Sequence, residues 1–214
     1  MIVESLVVGM FAENAWIVGC AGTREAVLVD PGAEAEKIAA AVDRLGFRPV
    51  RILNTHGHLD HVGAVEELRR LYGIPFAIHE AERENVESLA EHAAFFGIPA
   101  PPVPEVDEWV KEGAVYTFGH CALRAVATPG HTAGGISYVA EGRVFAGDTL
   151  FAGSVGRTDL PGGDFEVLRR SIREKLFGLP PETVVHCGHG PDTTIGAERA
   201  GNPFVGDRAR PDFI

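Results

Sequence analysis

The sequence predicts an α+β fold, with a pair of central sheets covered by helices and built as one domain of two similar halves. Three observations predict it. β-rich runs fill the first thirty residues, strands and helix-period segments then alternate, and the same succession of element types recurs beyond residue 109. No linker is rich enough to divide the chain, so residues 1–214 are read as a single domain.

Residues 2–8, 15–18 and 26–30 are β-rich runs separated by Gly or polar turns. Asp30-Pro31-Gly32 ends the third, and residues 34–45 show helical spacing with Gly46 as the stop. A short apolar strand at 50–53 leads directly into a His-rich segment. Residues 62–72 read as a helix, with Val65, Leu68 and Leu71 on one face and Gly73 closing it. A strand at 74–78 and a helical region at 80–96 follow. The four prolines in 99–104 mark a connector. Short β-like runs return at 114–118, 123–127, 136–139 and 144–146. Residues 165–176 form the last expected helix and 183–185 the last expected strand.

At 214 residues the chain can bury a sizeable core, and its 45% apolar and 23% charged content is ordinary for a globular protein. A net charge of -11 argues against nucleic-acid partners, because phosphate backbones demand a basic surface. Cys20, Cys121 and Cys187 are odd in number and scattered, so no disulfide framework is implied. The first ten residues lack the pattern of a secretory leader, and no apolar run approaches a membrane span. The expectation is a cytoplasmic protein with no membrane partner.

Chemistry concentrates in Thr55-His56-Gly57-His58-Leu59-Asp60-His61, where four donor side chains fall within six residues. Three more pieces follow: Pro129-Gly130-His131, Gly147-Asp148 and Gly188-His189-Gly190. His56 and His58 are two apart, so in extended chain both imidazoles point to one side and can chelate one ion. Asp60 and His61 come where the strand turns into a helix, which directs them toward a second ion. A single zinc takes four ligands, or three and a water. Seven candidates with a shared water suit two ions better. Asp148, with two carboxylate oxygens, is the bridging candidate. His131, Asp148 and His189 all follow strands, where a rigid scaffold can converge loops on one point. His79, His92, His120 and His186 have no comparable context.

The His56–His61 segment matches the T-H-x-H-x-D-H signature of the metallo-β-lactamase fold superfamily, and His131, Asp148 and His189 complete that family's ligand order. The resemblance covers nearly the whole chain and implies an αββα four-layer sandwich with a dinuclear site. It implies that His56, His58 and His131 hold one metal, that Asp60, His61 and His189 hold the other, and that Asp148 bridges them. Asp30 resembles the family aspartate that steadies the ligand loop. Gly147-Asp148-Thr149-Leu150-Phe151 and the string from Gly156 to Asp164 resemble the glyoxalase II (hydroxyacylglutathione hydrolase) group, in its short bacterial form. By that likeness Arg157 is the substrate-binding candidate, in the position of a basic residue that contacts glutathione. Two features depart from full-length members. Only 25 residues follow His189, where those members carry a helical domain, and Asp159 stands near the place of their glutathione-binding tyrosine.

The resemblance thus implies a hydrolase that cleaves a small thioester such as S-lactoylglutathione. A water between two divalent ions exists as hydroxide near neutral pH and can attack the thioester carbonyl, with Asp60 orienting it as the catalytic side chain. Zinc is the expected metal, with iron and manganese as alternatives because both accept the same donors. The string Gly156-Arg157-Thr158-Asp159 also resembles persulfide dioxygenases of the superfamily, which use one iron held by the equivalents of His56, His131 and Asp148. That oxidoreductase is the alternative function.

Overall fold

A computed structural model describes residues 1–209. By their internal contacts these divide into two compact units, residues 1–110 with 115–123, and residues 111–114 with 124 onward. No helix among the described residues is long and apolar enough to cross a membrane.

The first sheet runs β1 (Ile2–Val8), β2 (Glu13–Gly19), β3 (Glu25–Val29), β4 (Arg48–Leu53), β5 (Phe76–His79) and β6 (Glu108–Val110), in that spatial order. β1, β2 and β3 pair antiparallel, and β3 to β6 pair parallel. Each parallel step needs a crossover. α1 (Ala35–Leu45) supplies one, and α2 (Leu59–Val62) with α3 (Val65–Tyr72) supplies the next. α4 (Arg83–Glu87) and α5 (Leu89–Phe96) lie between β5 and β6. Ile38, Val42, Val65, Leu68 and Leu89 of the helices pack with Ile17, Leu28, Ile52, Phe76 and Ile78 of the sheet. Every position of β2 is buried, so that strand is covered on both faces.

The second sheet has the order β14-β13-β10-β9-β8-β7. Its strands are β7 (Val115–Phe118), β8 (Cys121–Ala127), β9 (Ile136–Ala140), β10 (Arg143–Gly147), β13 (Val184–Cys187) and β14 (Thr193–Thr194). Between β10 and β13 lie a two-stranded ribbon, β11 (Leu150–Phe151) with β12 (Ser154–Val155), and the helix α6 (Phe165–Ser171). α6 continues through one wide turn of π type at Ile172–Leu176. Leu168, Ile172 and Leu176 form a second core with Val144, Ala146 and Val185.

Several expectations are corrected. The helix at 62–72 starts earlier, at Leu59, and is two helices. The helical region expected at 80–96, whose continuity the sequence leaves open, is observed as a 3₁₀ turn and two helices, broken at Ser88. Among the described residues the last helix is not 165–176 but α7 (Ile195–Gly201), and the last strand is β14, not 183–185. α7 is short and glycine-containing, and what nucleates it is its cap: the Thr194 side chain accepts the N–H of Ala197.

Candidate metal centre

In the first unit the donors follow β4. Asn54 bonds the carbonyl of His61 through Nδ2 (2.6 Å) and so folds the segment back on itself. The rings of His56 and His58 meet edge to face with centroids 4.7 Å apart, and those of His56 and His61 lie 4.0 Å apart. His56 and His61 are buried, and His58 is partly exposed. The shared side expected for His56 and His58 is therefore observed. Asp60 Oδ2 sits 3.9 Å from His61 Nε2.

The supports of these rings fix which nitrogen each presents. Thr55 gives its hydroxyl to Asp30 Oδ2 (2.6 Å), so its oxygen accepts the Nδ1–H of His56 (3.0 Å). His61 gives Nδ1–H to the same Asp30 oxygen (3.1 Å), and the Thr55 N–H bonds Asp30 Oδ1 (2.6 Å). Both rings are thus held with Nε2 as the lone-pair nitrogen. Ligand atoms of Asp30, His56 and His61 lie within 4.8 Å of one another. Asp30, however, faces Nδ1 of His61, the nitrogen turned away from Nε2, so it orients the imidazole and does not share an ion with it. Asp30 adopts φ of +49°, the left-handed region that Asp and Asn tolerate best among side-chain residues. Glu82, fully buried, accepts the Gly57 N–H (2.8 Å) between the two histidines.

In the second unit the donors follow β8, β10 and β13. Asp148 Oδ2 stands 3.7 Å from His131 Nε2 and 3.6 Å from His189 Nε2. Two donors bound to one zinc at about 2.0–2.2 Å in tetrahedral geometry lie roughly 3.3–3.5 Å apart. The observed separations are longer than a hydrogen bond and close to that spacing. His131 donates Nδ1–H to the backbone carbonyl of Arg157 (2.7 Å), which again leaves Nε2 for an ion. Gly156 makes this possible. A Cβ there would stand 1.9 Å from the Asp148 carbonyl oxygen and 2.9 Å from His131 Nδ1.

The donor chemistry of both units therefore fits divalent metal: imidazoles with preset tautomers, and carboxylates at ligand spacing. Arg157 lies on the exposed loop with its guanidinium paired to Asp159 through Nε and Nη2, each 2.8 Å. His186, which had no sequence context, is buried against Phe145 and bonds Asp192 through Nδ1 (2.9 Å), bracing the turn that carries His189. Burial pushes its pKa below the ordinary value, against the pull of Asp192. Glu82 and the Arg157 carbonyl were not foreseen. A buried acid 25 residues from its partner and a backbone group have no local signature.

The sequence matches the metallo-β-lactamase superfamily over residues 8–189. It is 36% identical to the hydroxyacylglutathione hydrolase GloC of Haemophilus influenzae, across 98% of this chain and 100% of that one. The structure resembles the crystal structure of BLEG-1, a B3 metallo-β-lactamase, with a TM-score of 0.89 and 37% identity over 95% of this chain and 99% of that one. It also resembles TTHA1623, solved in a di-iron-bound form, with a TM-score of 0.85 and 40% identity over 94% and 99% of the two chains. The α+β class and the two helix-flanked sheets expected from the sequence are those of this fold. On this evidence the chain belongs to the metallo-β-lactamase superfamily, whose members are generally metal-dependent hydrolases.

Proposed function

We propose that the chain is one hydrolase domain that cleaves a small thioester, of the S-lactoylglutathione type, at a dinuclear centre. His56, His58 and His131 would hold one ion, Asp60, His61 and His189 the other, and Asp148 would bridge them. The observation that carries the dinuclear reading is the single Asp148 oxygen set 3.7 and 3.6 Å from two imidazoles. The thioester assignment rests on the full-length likeness to a hydroxyacylglutathione hydrolase. When bound, the ions acidify a water and polarise the substrate carbonyl.

The chain's own residues do the rest. Asp60, partly exposed, would orient the attacking water through its free carboxylate oxygen. Asp30 and Thr55 keep Nε2 of His56 and His61 as the lone-pair nitrogens an ion would take. Arg157, on the exposed loop, offers a cation to a glutathione carboxylate once it parts from Asp159. Zinc fits the imidazole-rich set, and the di-iron form of a similar protein supports iron as the alternative metal. The substrate is a small molecule, and neither nucleic acid nor membrane enters as a partner. A cytoplasmic location accords with a glutathione-linked substrate.

Metal content per chain, measured without added metal, tests this together with lactoylglutathione hydrolysis on the same sample. Two ions and thioester cleavage are expected. A single iron with no hydrolysis, and oxygen uptake with glutathione persulfide, would replace the hydrolase by a dioxygenase. Cleavage of a β-lactam but no thioester would keep the centre and change the substrate.

A further inference from the structure

At the opposite end of β2 from the ligand segment, two cysteines meet. Glu13 begins β2 and lies 3.8 Å from His61 Nδ1. Cys20 follows the strand's last residue, about 20 Å farther along. Cys121 opens β8, directly after the turn formed by Gly119 and His120. That turn is pinned to the β2–β3 turn. The Gly119 N–H donates to Glu25 Oε2 (2.6 Å) and the His120 N–H to Cys20 Sγ (3.4 Å). Gly119 has φ of +56°, and a Cβ on it would stand 2.0 Å from Thr23 Oγ1 and 2.8 Å from Cys20 Sγ. Only glycine permits so close an approach. Cys121 is the residue next to His120, whose N–H reaches the Cys20 sulfur, and both cysteines are free.

The His120 N–H is aimed at the Cys20 sulfur, and the Thr23 hydroxyl lies beside it, sulfur and hydroxyl both crowding the Cβ position of Gly119. Donors turned toward a sulfur favour thiolate. The Thr23 hydroxyl above all, followed by the His120 amide, lowers the Cys20 pKa to about 6. Cys121 moves the other way, raised first by burial and then by the neighbouring Cys20. The pair therefore joins one thiolate to one thiol. Cys20 is only 2% exposed, whereas Cys121 is partly exposed, so an oxidant reaching Cys20 must be small.

We propose that Cys20 and Cys121 are an oxidation site at which a hydroperoxide converts two thiols into one disulfide, tying the β2–β3 turn to the β7–β8 turn. The Cys20 thiolate attacks the peroxide, so that an S–O bond forms as the O–O bond breaks and hydroxide leaves. The Cys121 sulfur then attacks Cys20, the S–S bond forms, the S–O bond breaks, and water departs with the Cys121 proton. Two thiols are oxidised, and with hydrogen peroxide two waters are the balance. The site is separate from the metal centre and needs none of its residues.

The test is peroxide treatment of metal-loaded protein, followed by maleimide quenching and peptide mapping by mass spectrometry. The expected result is a Cys20–Cys121 cross-link with loss of two hydrogens, while Cys187, fully buried, stays a thiol. Cys20→Ser abolishes the cross-link. In Cys121→Ser, Cys20 stops at a sulfenic acid that dimedone traps. Thiols intact at both positions after treatment would overturn the proposal, as would oxidation of Cys187 before the pair. Hydrolysis of the thioester by both variants at the unmodified rate confirms that the folded centre is intact.

Discussion

His61 donates Nδ1–H to Asp30 across 3.1 Å, and Asp30 takes two further hydrogen bonds from Thr55, each 2.6 Å. One carboxylate thus sets two tautomers, that of His61 directly and that of His56 through the Thr55 hydroxyl.

Asp30→Asn separates this role from shape. Asparagine tolerates the positive φ, but its NH₂ end cannot accept, so one of the three bonds becomes a meeting of donors. Metal affinity is expected to fall about 10–100-fold, in the range found for such outer ligand supports. Folding stability should drop by about 1–3 kcal/mol. Chelator competition and thermal melts read the two effects, and a variant that keeps its metal would remove Asp30 from the account.

Gly57→Ala tests the packing of the ligand segment. The added Cβ would stand 2.9 Å from Asn85 Cβ and 3.1 Å from Glu82 Oε2, the oxygen that holds the Gly57 N–H. Something must shift, at a cost of about 1–3 kcal/mol, and His56 and His58 shift with it. Metal content per chain should fall together with the melting temperature. Full occupancy in the alanine variant would show that the loop adapts.

Arg157→Ala should leave metal content unchanged, because His131 uses the backbone carbonyl of that residue and not its side chain. KM for lactoylglutathione should rise about ten-fold, the equivalent of one lost contact of 1.4 kcal/mol. Asp159→Ala should lower KM by releasing the guanidinium. Arg157 holds the Asp159 carboxyl at about 2, so the pair stays charged throughout neutral and mildly acid solution. The KM ratio of Arg157→Ala to the parent should accordingly be flat between pH 5 and pH 8. An unchanged KM in both variants would leave Arg157 a surface residue.

Asp107→Asn should give a pH-dependent loss of stability. The carboxylate takes Arg69 Nε (2.8 Å), Arg69 Nη2 (2.9 Å) and the Phe76 N–H (2.9 Å). The guanidinium, first among the causes, holds it below the ordinary carboxylate range. Because the folded value is the lower one, the contribution is complete above the unfolded value of about 4 and lost as pH falls through the folded value. Solvent screens the pair, so about 1 kcal/mol is expected at pH 7. The gap between parent and variant melting temperatures should close on acidification, and a constant gap would contradict the assignment.

The donor cluster was legible because imidazoles and carboxylates crowded at strand ends have no competing packing role. The supporting role of Asp30 was legible only through the family resemblance, since Asp-Pro-Gly by itself reads as a turn that ends a strand. Boundaries were less so. Ser88 and Gly63 interrupt helical periodicity that is otherwise unbroken, and a cap such as Thr194 acts over only one turn. Longer-range supports escaped for a different reason. Glu82 meets Gly57 only because β4 and the segment after β5 are brought together by the sheet, and Asp192 meets His186 only across a tight β13–β14 turn.

Asp148 brings His131 and His189 to a single oxygen, and that economy has a thermodynamic signature. Were Asp148 to bridge two ions, the first bound would draw electron density from the shared oxygen and set its charge beside the second position. Occupancy would then be anticooperative, with a tight and a weak binding step and a long-lived half-loaded species between them. Gradual chelation should strip the chain in two phases, and the intermediate plateau would be a distinct mononuclear form of the same protein.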